Sequence, residues 1–333
     1  MIKKLVFVAL SAVLIFAGCG DKSEKSDKAS KESKSEYVVA VIPKGTAHSY
    51  WLAGHSGAAK ADKDFEDVKI IWKGIDNEND SSGQVALVND FIQQGVDAIA
   101  IAPLNADALV NVIETAYEKD IKVIVWDSDV NTEKKHSYIA TDNYKGGELC
   151  ADRIATLINK KGSVVMIRYN PGSASTGDRE SGFIDRMKKN YPDIKLISTE
   201  EYANGSATGA KQKINDIFSS KGENIDAIFC PALPVVQGVL QAVKARSLNG
   251  KVKIVGFDQD PELVKALAEG DIQGLAVQDP FKMGELSVKF ARMLLKGEKA
   301  PKEEDTGVKM VTKENMNEEG AKKLLNPDLS FIK

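Results

Sequence analysis

The sequence predicts an α/β protein built from two doubly wound, Rossmann-like lobes joined by a hinge. Three observations predict this. Between residues 37 and 311 short apolar runs alternate with segments of helical period, the pattern of βαβ units and parallel sheets. The alternation breaks near Asp142 and then begins again, a duplication of pattern without sequence identity. The chain of 333 residues is long enough to bury two cores.

In order, the first lobe reads as a strand at 38–42, a helix at 51–65 and a strand at 68–72. A helix at 83–94 sets Val85, Val88, Phe91 and Ile92 on one face. A strand at 98–102, a helix at 106–119 and a strand at 122–126 follow. Residues 121–147, IKVIVWDSDVNTEKKHSYIATDNYKGG, organise the rest: an apolar strand ends on Asp127, a polar loop follows, and 138–140 resume the apolar pattern before the chain crosses over. The second lobe repeats the alternation with helices at 147–159, 178–189, 207–218, 235–245 and 261–269 and strands at 163–168, 195–199, 227–230, 253–257 and 275–278. A helix at 280–295 and a strand at 308–311 follow, with a polar, helix-like tail after Glu314.

Ahead of the lobes, Lys3 and Lys4 precede an apolar run at 5–17 and small residues leading to Cys19, the layout of an export signal. The run is short for a permanent membrane span. Residues 16–19, FAGC, resemble a bacterial lipobox, which implies that Cys19 becomes the lipidated first residue of an exported chain anchored to a membrane. Residues 20–36 are almost all Lys, Ser, Glu and Asp and read as a disordered tether, since they cannot bury enough apolar surface to order themselves.

The net charge of -3 and the lack of a basic block with interleaved aromatics argue against nucleic acid as a partner. Cys19, Cys150 and Cys230 are scattered, without zinc or redox spacing. No nucleophile elbow, H-E-x-x-H or P-loop is present, so neither catalysis nor a cofactor is expected. His48 and His55 are seven residues apart with no third ligand nearby, so no metal site is expected, and His136 reads as solvated. The acidic run 76–80, DNEND, lacks the glycine and terminal glutamate of a calcium loop and reads as a turn into a capped helix. Ser175 and Thr176, in the loop 172–179, read as helix-capping hydroxyls.

What remains is a set of polar and aromatic residues at strand ends, where ligands bind in open α/β sheets. Lys44, His48, Tyr50, Trp51 and Asp127 occupy such places in the first lobe, and Arg168, Arg179, Asp258 and Gln278 in the second. Flat aromatic faces stack on apolar ring faces, while carboxylate, guanidinium and amide groups satisfy hydroxyls.

Six segments taken together carry a family resemblance: VIPKGTAHSYWLAGHSGAAKA at 41–61, VIVWDSD at 123–129, ATDNYKGG at 140–147, GSASTGDRESGF at 172–183, VGFDQDPE at 255–262 and VQDPFKMGE at 277–285. In this order they resemble the type I periplasmic sugar-binding proteins of ABC transporters, the ribose, galactose and xylose class, in a lipoprotein form. The resemblance implies that fold, and a monomer that closes on a sugar and presents it to an ABC permease and its ATPase. It implies His48 as a polar contact, Tyr50 and Trp51 as a stacking pair, Asp127 as the carboxylate for ring hydroxyls, Arg179 as a contact from the other lobe, and Asp258 and Gln278 as further hydrogen-bonding groups. Crossings between lobes are implied at Asp142-Asn143 and Gln278-Asp279, which makes the expected N-terminal lobe 37–142 with about 279–308 and the C-terminal lobe 143–278 with about 309–333.

Two departures stand out. Ser128 replaces the arginine of ribose binders, and Ala232-Leu233 replaces an Asn-Asp or Asn-Glu pair. Each lost contact forfeits roughly 1–3 kcal/mol for the hydroxyl it would meet, so a deoxy or less hydroxylated ligand is expected. The Pro43-Lys44 pair, the run 126–129 and Pro231 are also similar to autoinducer-2 binders, which keeps a furanone signal, or a sensor role, as the alternative.

Overall fold

The computed structural model describes residues 36–332. The expected leader, Cys19 and all but the last residue of the expected tether lie outside the described residues. The first sheet contains β1 (Tyr37–Ile42), β2 (Val68–Trp72), β3 (Ala98–Ile101), β4 (Lys122–Trp126), β5 (Ser137–Ala140) and β11 (Glu303–Asp305), in the order β11-β5-β4-β3-β1-β2. The second contains β6 (Gly162–Arg168), β7 (Ile194–Tyr202), β8 (Ala227–Cys230), β9 (Lys253–Phe257), β10 (Gly274–Val277) and β12 (Lys309–Val311), in the order β12-β10-β9-β8-β6-β7. The two orders correspond strand for strand. All pairings are parallel except β10 with β12.

The central strands are near-continuous apolar runs because each sheet is covered on both faces. In β1, Val39 and Val41 face a core shared with α1 (Ser49–Asp64) and α9 (Pro280–Leu295), while Ala40 and Ile42 face one shared with α2 (Ser81–Gln94) and α3 (Val110–Glu118). The second sheet repeats this. Val164 and Met166 face α4 (Asn143–Leu157) and α5 (Ala174–Asn190), and Val165 and Ile167 face α6 (Ala207–Lys221) and α7 (Leu233–Ala245). Cys150 and Cys230 are buried free thiols in these cores.

Glycines set how close the helix pairs come. A Cβ on Gly147 would fall 2.0 Å from the Arg179 carbonyl oxygen, and one on Gly182 would fall 2.1 Å from that of Tyr144, so α4 and α5 touch backbone to backbone. Gly57 and Gly284 do the same for α1 and α9.

The chain passes between sheets after β5, after β10 and between β11 and β12. The first two passages each end in an aspartate N-cap: Asp142 accepts from Lys145 N and Asp279 from Lys282 N. Asp305 Oδ1 accepts from Asp142 N at 3.2 Å and Gly307 N at 2.8 Å, and Thr141 Oγ1 donates to Gly307 O at 3.1 Å. The connecting segments are therefore tied to one another rather than independent.

Several boundaries differ from the sequence expectations. The helix expected at 178–189 begins at Ala174, because the Ser-Thr run that reads as a cap is its first turn. The helix expected at 106–119 begins at Val110, because Asn105 holds a turn with its side chain on Asp107 N and Ala108 N. Strand β11 has no apolar signal at all, being EED paired through its backbone to β5. The segment 309–333, expected on the C-terminal lobe, divides between both. In α10 (Glu319–Leu325), Ala321 and Leu325 join the second lobe's core. Phe331 instead meets Phe281 of α9 at 6.2 Å and lies under Lys63 of α1 at 5.9 Å, because these give its ring an apolar and cationic seat on the first lobe.

Candidate functional site

The carboxyl ends of both sheets face one cleft, and the residues directly after β4 and β9 are two of its acids. Asp127 is 4 % exposed and has φ 64°; Asp258 is 7 % exposed and has φ 69°. Such left-handed backbone is uncommon outside glycine and turns each side chain away from the strand's alternation.

Asp127 Oδ1 accepts from Tyr50 OH at 2.5 Å, and Oδ2 pairs with Lys44 Nζ at 3.1 Å. Burial, with Asp127 adding to it, pushes the Tyr50 phenol well up, so it acts as a donor. Lys44, carried past the end of β1, also donates to Ser175 Oγ at 3.1 Å and Ser173 Oγ at 3.3 Å of the second lobe. Asp258 Oδ1 accepts from Gln278 Nε2 at 2.7 Å, and its Oδ2 accepts from Leu233 N at 3.3 Å and lies 4.0 Å from Arg179 Nη1. Burial raises the Asp258 carboxyl above its ordinary value, and Arg179 opposes that.

Arg179 is 3 % exposed and firmly placed: Nε donates to Asn143 Oδ1 at 2.8 Å, Nη1 to Pro231 O at 2.9 Å, and the guanidinium lies 4.2 Å from the centroid of Phe257. Opposite stands an aromatic wall from the start of α1. Trp51 meets Tyr50 edge-on at 4.8 Å and Trp126 edge-on at 5.6 Å, which leaves its indole little freedom. The cleft encloses about 340 Å³ of atom-free space, part of it open to solvent. Gln278 Oε1 and His48 Nδ1 are buried without a protein partner among the described residues, leaving hydrogen-bonding capacity at the site.

Of the residues singled out in the sequence, Lys44, His48, Tyr50, Trp51, Asp127, Arg179, Ala232, Asp258 and Gln278 line this cleft. Arg168 does not. Its Nε donates to Thr199 O at 2.6 Å and its Nη1 to Glu180 at 2.9 Å, and its guanidinium lies over Tyr202, because side chains alternate along a strand and position 168 points toward β7. The next residue, Tyr169, lines the cleft in its place. Ser128 also stands back from the lining; its Oγ accepts from Ser175 N at 3.1 Å, a bond between lobes. Ser175 and Thr176 line the cleft rather than cap a helix.

Glu78 is a further residue that sequence reasoning missed. It sits in the acidic run read as a turn, and that run does cap α2, through Asp80 on Gly83 N. Yet Glu78 reaches the cleft, accepting from His48 Nε2 at 2.8 Å, Trp51 Nε1 at 2.7 Å and Tyr169 OH. The available signal was its place after a strand's carboxyl end. Among the described residues no cluster of His, Cys, Asp and Glu could hold a metal ion.

Comparison with known proteins agrees with this architecture. The ribose import binding protein of Bacillus subtilis is 27% identical over 92% of this chain and 97% of its own length. That of Haemophilus influenzae is 30% identical over 85% of this chain and 94% of its own. A carbohydrate transporter solute-binding protein from Agrobacterium radiobacter, solved with D-arabinose, superposes with a TM-score of 0.85 at 35% identity, covering 88% of this chain and 100% of that one. The model of the periplasmic binding protein domain matches residues 39–299. With two matching α/β lobes, cleft-facing acids at equivalent strand ends and that match across most of its length, this chain belongs to the periplasmic binding protein family, in its sugar-binding ABC-transporter branch.

Proposed function

We propose that the protein captures a monosaccharide, or a polyol of similar size, by closure of its two lobes and delivers it to the permease of an ABC importer. It is a binding protein and not an enzyme, as its relatives are. The observation that carries this reading is the pairing of Asp127 and Asp258, one from each lobe, facing a single cleft beside the Trp51 wall. Two carboxylates and an arginine satisfy several hydroxyls at once, and an indole face covers the apolar side of a ring. Closure follows from a ligand that touches both lobes only in the closed form, since equal affinity for both forms would shift nothing.

Ala232 brings only a methyl group to the cleft and Ser128 is used between lobes, which supports a sugar with fewer hydroxyls to satisfy than the ribose named for the relatives. The proposal extends to an exported protein anchored through lipidated Cys19, acting as a monomer with a permease and its ATPase. A Cys19→Ser variant would then leave the membrane fraction. One observation favours a furanone signal of the autoinducer-2 type as a second reading: Lys44, in the segment that carries that similarity, places its ammonium in the cleft.

A panel of pentoses, hexoses, deoxy sugars, polyols and autoinducer-2 in a thermal-shift assay tests both. A ligand at a hundred times its Kd adds about 2.7 kcal/mol and raises the melting point. A response confined to sugars supports the first reading and one confined to autoinducer-2 the second. No response from folded protein would reject both.

A further inference from the structure

Glu78 does more than line the cleft. Its Oε1 is held from its own lobe by His48 Nε2 at 2.8 Å and Trp51 Nε1 at 2.7 Å, which leaves Oε2 aimed at Tyr169 OH of the other lobe. Gly45 makes room for it, because a Cβ there would fall 2.5 Å from Oε1. The loop around it continues the contact. Asn170 Nδ2 donates to Glu78 O at 3.2 Å and Asn79 Oδ1 at 2.7 Å, and Asn79 Nδ2 donates to Asn204 O at 2.8 Å. Gly205 has φ 65° and lets Asn79 Oδ1 approach to where a Cβ would stand 2.9 Å away. The bonds to Tyr169, Asn170 and Asn204 join protein to protein across the cleft, so they favour closure whatever the ligand's chemistry.

We propose that Glu78 is a positioning residue that both fixes the His48–Trp51 wall and latches the two lobes through Tyr169, so that the protein is partly closed before ligand arrives. A charged acceptor saturated by donors from both lobes is the strong kind of hydrogen bond, and in the open form its outward oxygen exchanges Tyr169 for water. The ligand then selects among pre-existing forms, and its apparent affinity scales with the closed fraction. The inference rests on the capture reading only for that last consequence; the latch itself needs no ligand.

The test is therefore small-angle X-ray scattering on ligand-free protein: the parent, Tyr169→Phe, Glu78→Ala and the double variant, each first shown to be folded by circular dichroism. Tyr169→Phe keeps the ring and both Oε1 bonds and removes only the cross-lobe hydroxyl. It is expected to shift the closed-to-open ratio on the order of tenfold toward open, seen as a larger radius of gyration. Adding Tyr169→Phe to Glu78→Ala is expected to change nothing further, and Glu78→Gln, which keeps an acceptor, to recover part of the closed form. A residue with a merely structural role would lower the melting point and leave the scattering curve alone. Identical curves for parent and Tyr169→Phe, or an undiminished Tyr169→Phe effect in the Glu78→Ala background, would overturn the latch. Failure of every sugar in the panel would leave these curves unaffected.

Discussion

Asp127 and Asp258 are one device used twice. Each follows the third strand from the hinge-side edge of its sheet, each has a positive φ, and each donates its backbone N–H to the neighbouring strand, to Ile139 O and Ala276 O, at 2.9 Å. Left-handed backbone costs a non-glycine residue roughly 1–2 kcal/mol. The strain recurs in both lobes at the two acids that face the cleft, where the structure around them holds it in place.

Asp127→Asn keeps a side chain that tolerates this backbone and loses the charge that balances Lys44. Binding of the ligand found in the panel is expected to weaken about ten- to hundredfold, the equivalent of a charged hydrogen bond, with the fold retained. Isothermal titration beside circular dichroism measures both. Unchanged affinity would remove Asp127 from the site.

Arg179→Lys preserves charge and loses geometry. A lysine cannot at once bond Asn143 Oδ1 and Pro231 O and lie flat on Phe257, as Arg179 does. The expected loss in affinity is again on the order of tenfold or more, larger than for lysine replacements of the half-buried Arg153 or Arg246, which do not line the cleft. If Arg179→Lys titrates like the parent, the guanidinium's fixed placement is irrelevant to capture.

Gly182→Ala and Gly177→Ala differ in sign although both lie in α5. A Cβ at 182 meets Tyr144 O at 2.1 Å, whereas at 177 nothing stands within 4 Å. The first is expected to destabilise by about 1–3 kcal/mol through overpacking. The second is expected to stabilise by roughly 0.5–1 kcal/mol through helix propensity. Urea denaturation of the pair decides it, and equal midpoints would contradict the close α4–α5 contact.

Glu180 supports the cleft from behind, bonding Tyr169 N with one oxygen and Arg168 with the other. Burial pushes its carboxyl up to about 7, against the lowering by those bonds. The native state thus holds a proton that the unfolded chain, near its ordinary 4.5, has released. That contribution is complete below about pH 4.5 and fades as pH rises through about 7, with a slope of at most about 1.4 kcal/mol per pH unit. Glu180→Gln should flatten the stability profile between pH 5 and 8; an unaltered slope would show that Glu180 is ionised throughout.

How much of this was legible depends on distance along the chain. Strand β4 and its terminal Asp127 could be read because an apolar run of fixed length and the acid that ends it are neighbours, and the carboxyl-end rule needs nothing more. The carboxyl-end rule points to Arg168 where the cleft takes Tyr169, because it locates a strand's end, while which of two adjacent side chains faces the cleft depends on pleat phase and on partners in β7 and α5. Strand β11 was invisible since its pairing uses only backbone groups.

By itself, the sequence determined two α/β lobes, the crossing near Asp142 and most of the residues that line the cleft, because hydrophobic period and turn chemistry act over a few residues. Only the tertiary structure decided that Glu78 meets Tyr169 from 91 positions away, that Arg168 turns to Glu180, and that Phe331 returns to the first lobe. Those contacts are set by how two independently folded sheets are brought face to face, and no local pattern along the chain encodes that distance.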